Sequence, residues 1–81
     1  MNPQALLGNS EVQDAERLAV VDKLDRFFRD IIKVVPGSRE AATKVESSIY
    51  LATTTRDDYR KMLISRMQFI QQQQANGKSG Q

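Results

Sequence analysis

Residues 44–59 read KVESSIYLATTTRDDY, and this stretch shows the helical organisation of the chain most clearly, because it ends one helix and begins another. Val45, Ile49 and Ala52 recur at spacings of four and three, as on one face of a helix. The three consecutive threonines that follow disfavour helix, since each is β-branched and offers a hydroxyl that competes for backbone groups. In TRDD, Thr55 is the expected cap of the next helix. The stretch therefore predicts the end of one helix, a short junction and the beginning of the next helix.

Towards the C-terminus, residues 56–73 are expected to form the third helix of the chain. Arg66 lies near the centre of its apolar arc and Ile64 lies off to one side. We expect the guanidinium of Arg66 to reach a carboxylate, with Glu46 as the best candidate. The glutamine, glycine and serine residues of 74–81 predict a flexible tail. The apolar arc of the predicted third helix is about 160° wide and consists of Tyr59, Met62, Leu63, Met67, Phe69 and Ile70.

Towards the N-terminus, Pro36 and Gly37 predict a firm turn, since proline restricts the residue before it and glycine accepts positive φ. Ser38 is then the expected N-cap of a second helix over residues 39–52. A first helix is predicted over about 10–33, with Ser10 and Gln13 forming a capping box. Residues 1–9 lack periodicity, and we expect them to be flexible.

The first helix has an unusually wide apolar face. It covers an arc of about 160°, which widens to about 200° if Val34 and Val35 are also helical. Such a width is typical either of a helix buried on several sides or of one that also lines a groove, and the pattern leaves both readings open. Together the segments predict an all-α three-helix bundle with flexible termini. The apolar face consists of Leu18, Val20, Val21, Leu24, Phe27, Phe28, Ile31, Ile32, Val34 and Val35.

The composition of the 81-residue chain argues against several functional classes. It contains no cysteine and no histidine, and it has neither a nucleophile with a plausible base nor a glycine-rich loop that could hold a phosphate. We therefore expect no enzyme activity, no cofactor and no metal. A net charge of +2 is too balanced to indicate nucleic-acid binding, and a three-helix DNA-binding domain stays open as an alternative. No apolar run approaches the roughly 20 residues of a membrane span, so no membrane partner is expected.

The junction stretch resembles that of KIX domains of transcriptional coactivators. The similar residues are KVESSIY at 44–50 and TTTRDDY at 53–59, with VVDKL at 20–24 similar to the first helix of the family. DAER at 14–17 and the glutamine run at 71–74 resemble the fungal type, which stands at the N-terminus of a Mediator tail subunit. The resemblance covers roughly residues 14–72.

This resemblance implies a nuclear coactivator module within a Mediator complex. KIX domains bind amphipathic activation-domain helices of transcription factors in a hydrophobic groove between the first and third helices, without direct contact to nucleic acid. A monomer is expected in isolation. The positions that match the groove of the family, and which are therefore the candidate site residues, are Val20, Lys23, Leu24, Phe27, Arg60, Ile64, Met67 and Gln68.

Two departures from the family pattern narrow this expectation. Gln68 stands where the metazoan type has a tyrosine that helps to contact a phosphoserine, so we expect recognition without phosphorylation. The segment between the first two helices is short, which leaves open whether a second binding surface forms. The alternative is a structural assembly module of a larger complex, whose wide apolar face packs permanently against another subunit or against a second copy of this chain.

Overall fold

Three helices follow one another in the computed structural model, which describes residues 8–79 and their side chains up to residue 74. α1 spans Asp14–Arg26 and continues into a π-helical turn, Phe27–Ile32, which we call the π segment. α2 spans Ser38–Ala52 and α3 spans Arg56–Ser79. Residues 8–79 contain no strand, so the chain is an all-α three-helix bundle.

The core lies where the apolar faces of all three helices meet. α1 packs closely on α2, because Ala42 is small and fully buried at the interface. Leu18 and Phe69, which belong to the predicted apolar arcs, are instead more than half exposed. The buried apolar residues are Val12, Val21, Leu24, Phe27, Phe28, Ala42, Ile49, Tyr59 and Leu63.

The π segment allows two adjacent phenylalanines to be buried together. A wider turn rotates less per residue than an α-helix, so neighbouring side chains diverge less. Phe27 and Phe28 are both buried and meet edge to face, with ring centroids 5.7 Å apart. Lys33 ends the segment in the left-handed conformation, at φ 68°, and its N–H donates to the Phe28 carbonyl. The segment sets the positions of Phe27 and Ile31 along one side of the molecule.

The beginning of the chain differs from the sequence prediction. α1 starts at Asp14 rather than Ser10, and Gln13 precedes it without a side-chain capping bond, so the Ser10 capping box does not form. Residues 9–12 make a turn instead, in which the Val12 N–H donates to the Asn9 carbonyl over 3.1 Å. The turn is favoured because it buries Val12 in the core. Residues 1–7 of the predicted flexible start lie outside the described residues.

Asn9 and Glu11 tie this turn to the α2–α3 junction. The buried Asn9 amide donates to Thr53 Oγ1 over 2.9 Å and to the Thr55 carbonyl over 2.7 Å. Glu11 Oε1 accepts the N–H of Arg56, the first residue of α3, at 2.7 Å. Asn9, the last residue of the predicted flexible segment, is therefore fixed, because its side chain forms hydrogen bonds with polar groups of the junction.

The caps of the other two helices follow the prediction in part. Thr55 Oγ1 accepts the Asp58 N–H at 3.1 Å, which confirms Thr55 as the cap of α3. Gly37 has φ 98°, in the region that glycine favours, and it rather than Ser38 precedes α2. The Ser38 hydroxyl donates to Asp25 instead, so it links α2 to α1.

The end of α3 also extends past its predicted limit at residue 73. The helix continues to Ser79, and residues 80–81 of the predicted flexible tail lie outside the described residues. Gln74 donates its amide to the Ile32 carbonyl over 2.8 Å, at the end of the π segment. Glutamine and alanine are good helix formers, and this bond gives the added turn a tertiary contact.

Candidate partner-binding groove

A groove runs between the α1 and π-segment wall on one side and α3 on the other. Glu16 contacts Arg56 and Arg60 near the start of both walls, and Ile32 contacts Gln74 near their far ends, so the walls run in the same direction. α1 and α3 make few close backbone contacts with each other. The space between them therefore opens to solvent.

The groove consists of two adjoining concavities, each of about 340 Å³, which share Lys23, Leu63 and Ile64. The first concavity lies near the start of α3 and the second near the π segment. The other residues of the first are Glu16, Ala19, Val20, Tyr59 and Arg60. The other residues of the second are Phe27, Ile31, Met67, Gln68 and Gln71.

The structure brings the candidate site residues together, with one exception. Val20, Lys23, Arg60 and Ile64 line the first concavity, while Lys23, Phe27, Ile64, Met67 and Gln68 line the second. Leu24 is fully buried in the core and lines neither concavity, so its assignment to the groove is corrected. It points inward because it lies one turn of α1 before the buried Phe28 and packs in the same core cluster.

Six residues of the lining are not among the sequence candidates, and two of these, Tyr59 and Leu63, are predicted only as part of the apolar arc of the third helix. Ile31 follows Phe27 by four positions and Gln71 follows Gln68 by three, so helical spacing from the chosen residues could have found both. The two others, Glu16 and Ala19, lie within one turn of Val20 and Lys23 and carry no apolar signal of their own.

Ile64 and Leu63 are neighbours in sequence with opposite environments. Ile64 is 57% exposed at the boundary of the two concavities, whereas Leu63 is 6% exposed and packs in the core. Consecutive side chains on a helix point about 100° apart, which explains the difference. The groove thus presents a large apolar side chain to solvent directly above a packed floor.

The charged residues of the lining differ in whether they form ion pairs. Among the described residues, Lys23 has no ion-pair partner. Arg60 Nη2 lies 3.6 Å from Glu16 Oε2, while the other oxygen of that carboxylate accepts a hydrogen bond from Arg56 Nε at 3.2 Å. The groove therefore has an apolar surface with two cations and one anion at its rim.

A buried polar network supports the floor of the groove from behind. Glu46 is 2% exposed and accepts from Arg17 Nε at 2.8 Å, Arg17 Nη2 at 2.9 Å and the Tyr59 hydroxyl at 2.8 Å. The Arg17 guanidinium also lies 3.6 Å from the ring centroid of Tyr50. Glu46 thus links α1, α2 and α3. The predicted pairing of Glu46 with Arg66 is wrong, because Arg17 and Tyr59 occupy the carboxylate.

The network also changes the acidity of its members. Burial and the Glu46 carboxylate raise the pKa of the Tyr59 hydroxyl well above its usual range. The hydrogen bond from Arg17 to Glu46 raises the pKa of the Arg17 guanidinium. The Tyr59 hydroxyl therefore stays protonated and donates a hydrogen bond to Glu46 throughout the physiological pH range.

Comparisons with protein-family models, with curated proteins and with solved structures found no match to this chain. Within the described residues, no helix combines the length and apolar character that crossing a bilayer would require.

Proposed function

We propose that this chain is a KIX-like coactivator module that binds acidic, amphipathic activation-domain helices in the groove between α1 and α3. It would act in the nucleus, as part of a larger coactivator complex of the Mediator type. The support from sequence is the resemblance of residues 14–72 to KIX domains. The support from structure is the groove itself, on which seven of the eight matching positions converge.

The exposed apolar surface of the groove is the observation that carries the proposal. Ile64 and Ile31 are at least half exposed and stand beside Met67, whose flexible side chain can adapt to different ligands. Exposure of such residues costs free energy in water, and a bound apolar side chain would relieve it. A helix that inserts bulky apolar residues between the walls fits this surface.

The charges of the rim favour an acidic partner. Lys23 lies at both concavities and has no ion-pair partner among the described residues, and Arg60 is mostly exposed. Acidic residues that flank the apolar anchors of a ligand helix would therefore be attracted to the groove from solution. The attraction acts mainly on the association rate and is weakened by salt.

The dimensions of the groove indicate a short ligand and a modest affinity. Along α3 the lining extends from Tyr59 to Gln71, a rise of roughly 18 Å, which matches about three turns of a bound helix. Such a site buries less than the roughly 1,600 Å² of a standard protein interface, and a ligand that folds on binding also loses conformational entropy. We expect dissociation constants in the micromolar range, on the order of 1–100 µM.

Three aspartate substitutions test the proposal. Ile64→Asp should leave the domain folded and abolish binding of an acidic amphipathic peptide, because the side chain already meets water. Leu51→Asp is the matched control: Leu51 is 61% exposed on α2 and does not line the groove, so this variant should fold and bind normally. Leu63→Asp should unfold the domain, because it buries a charge.

Circular dichroism measures whether the three variants are folded, and peptide titration measures their binding. If Ile64→Asp unfolds as readily as Leu63→Asp, Ile64 belongs to the core and the groove is wrongly assigned. If Ile64→Asp stays folded and binds like Leu51→Asp, the partner surface lies elsewhere.

A structural assembly module is the second candidate function. Leu18, Val35, Leu51 and Phe69 are all more than half exposed and lie outside the groove, as expected for a surface covered by another subunit. Sedimentation of the isolated domain distinguishes the two: an assembly module should self-associate or precipitate, whereas a peptide-binding module should be monomeric over a wide range of concentration.

A further inference from the structure

Glu16 is an acidic residue in a groove whose other charged lining residues, Lys23 and Arg60, are basic. Its carboxylate lies at the first concavity, on the α1 wall opposite Arg60. An acidic ligand that approaches Arg60 must therefore also approach Glu16. The negative charge of this carboxylate is opposite to that of the other charged residues at the rim.

We infer that Glu16 is a specificity-determining residue that lowers the affinity of the groove for strongly acidic helices, an inference that rests on the proposed function. It does so in two ways. Its negative charge repels the carboxylates of the ligand, and its contact with Arg60 occupies part of the cation that would otherwise bind them. The domain thus retains a preference for ligands with well-fitting apolar anchors over ligands that are merely acidic.

The alternative role for Glu16, that of orienting Arg60 for the ligand, fits the geometry less well. The closest approach of Glu16 to Arg60 is 3.6 Å, and it is an ion pair without a hydrogen bond. The hydrogen bond of Glu16 is made with Arg56, which lies one turn earlier on α3 and outside the lining of the groove. The side chain of Arg60 is also mostly exposed, which leaves it room to change orientation. Charge is therefore the main effect of Glu16 on a ligand.

The expected size of the effect follows from Coulomb's law. Two like charges about 7 Å apart in water repel each other by about the thermal energy, which corresponds to about a threefold change in affinity for each ligand carboxylate near Glu16. Replacement of Glu16 by glutamine doubles the net charge of the lining, from one cation in excess to two. The gain should be largest in dilute salt and should shrink as the Debye length falls.

The experiment compares Glu16→Gln with Asp57→Asn, an equal change of charge at a residue of α3 that pairs with Lys61 outside the groove. The probe is a synthetic amphipathic peptide with leucine anchors and glutamate flanks, titrated at about 0.05 M and about 0.5 M salt. A second peptide has every glutamate replaced by glutamine. Thermal melts of both variants verify that the domain is folded.

We expect Glu16→Gln to bind the acidic peptide at least about threefold more tightly than the wild type at low salt, with a much smaller gain at high salt and none for the neutral peptide. Asp57→Asn should bind like the wild type. If the wild type binds but Glu16→Gln shows no gain or binds more weakly, or if Asp57→Asn gains as much, the inference is refuted and the groove stands. If the wild type does not bind at all, the proposed function fails as well.

Discussion

Replacement of Glu46 by glutamine should destabilise the domain strongly, although it changes a single atom of the side chain. The carboxylate is buried and accepts three hydrogen bonds, two from Arg17 and one from Tyr59. Glutamine keeps one acceptor oxygen and presents an amide donor where Arg17 or Tyr59 now donates. The substitution therefore leaves at least one buried donor without a partner.

The magnitude follows from the burial of the two partners. Removal of one member of a buried ion pair costs about 3–5 kcal/mol. The Arg17 side chain is 28% exposed and can regain some hydration, and glutamine still accepts one bond, so we expect a loss of about 2–3 kcal/mol. For a domain of this size that corresponds to a fall of roughly 10–20 °C in the melting temperature.

Thermal melts followed by circular dichroism at neutral pH measure this loss, with two companion variants. Arg17→Gln should cost a comparable amount, because it leaves the buried carboxylate without its cation. Arg66→Gln should cost much less, since Arg66 has no ion-pair partner among the described residues. An unchanged melt for Glu46→Gln would refute the reasoning. So would a large loss for Arg66→Gln together with none for Arg17→Gln, which is the pattern that the sequence alone suggested.

Two further predictions concern the capping of α3 and the ionisation of Tyr59. Thr55→Ala should cost about 1 kcal/mol, because the Asp58 N–H loses its acceptor; a melt that is unchanged within error would contradict the cap. Because the pKa of Tyr59 is raised in the folded state, its contribution to stability is complete below about pH 10 and is lost as the pH rises further. Urea denaturation from pH 8 to 11 should therefore show a steeper alkaline decline for the wild type than for Tyr59→Phe; equal slopes would argue against the shift.

The helical architecture could be predicted because its signals are local. Thr55 has its capping partner three residues away, and Gly37 adopts positive φ directly after Pro36. The exposure of Ile64 was visible as a departure from the apolar arc of α3. Such features depend on spacing along one helix or on the chemistry of one turn, and neither requires knowledge of how the helices pack.

The features that the sequence did not reveal depend on contacts between distant segments. Asn9 looks like the end of a flexible start and Glu11 like a residue of the first helical turn, yet both bond to groups more than forty positions later. The partner of Glu46 could not be chosen without the register of α1 on α2, which brings Arg17 rather than Arg66 to the carboxylate. Leu24 and Phe27 both lie on the wide apolar face predicted for the first helix and both are buried, and only the packing shows that Phe27 also lines the groove whereas Leu24 does not.

The most direct test of the groove is a titration of the ¹⁵N-labelled domain with an unphosphorylated acidic activation-domain peptide, followed by chemical shifts. Docking between α1 and α3 predicts saturable shifts that cluster at Lys23, Ile64, Met67 and Gln68, with little change at Leu51 on the outer face of α2. The phosphorylated peptide should bind no more tightly, because Gln68 lacks the phenolic hydroxyl with which the corresponding tyrosine of metazoan KIX domains helps to contact a phosphoserine. Shifts that cluster on α2, or none at all up to millimolar peptide, would contradict the proposed site.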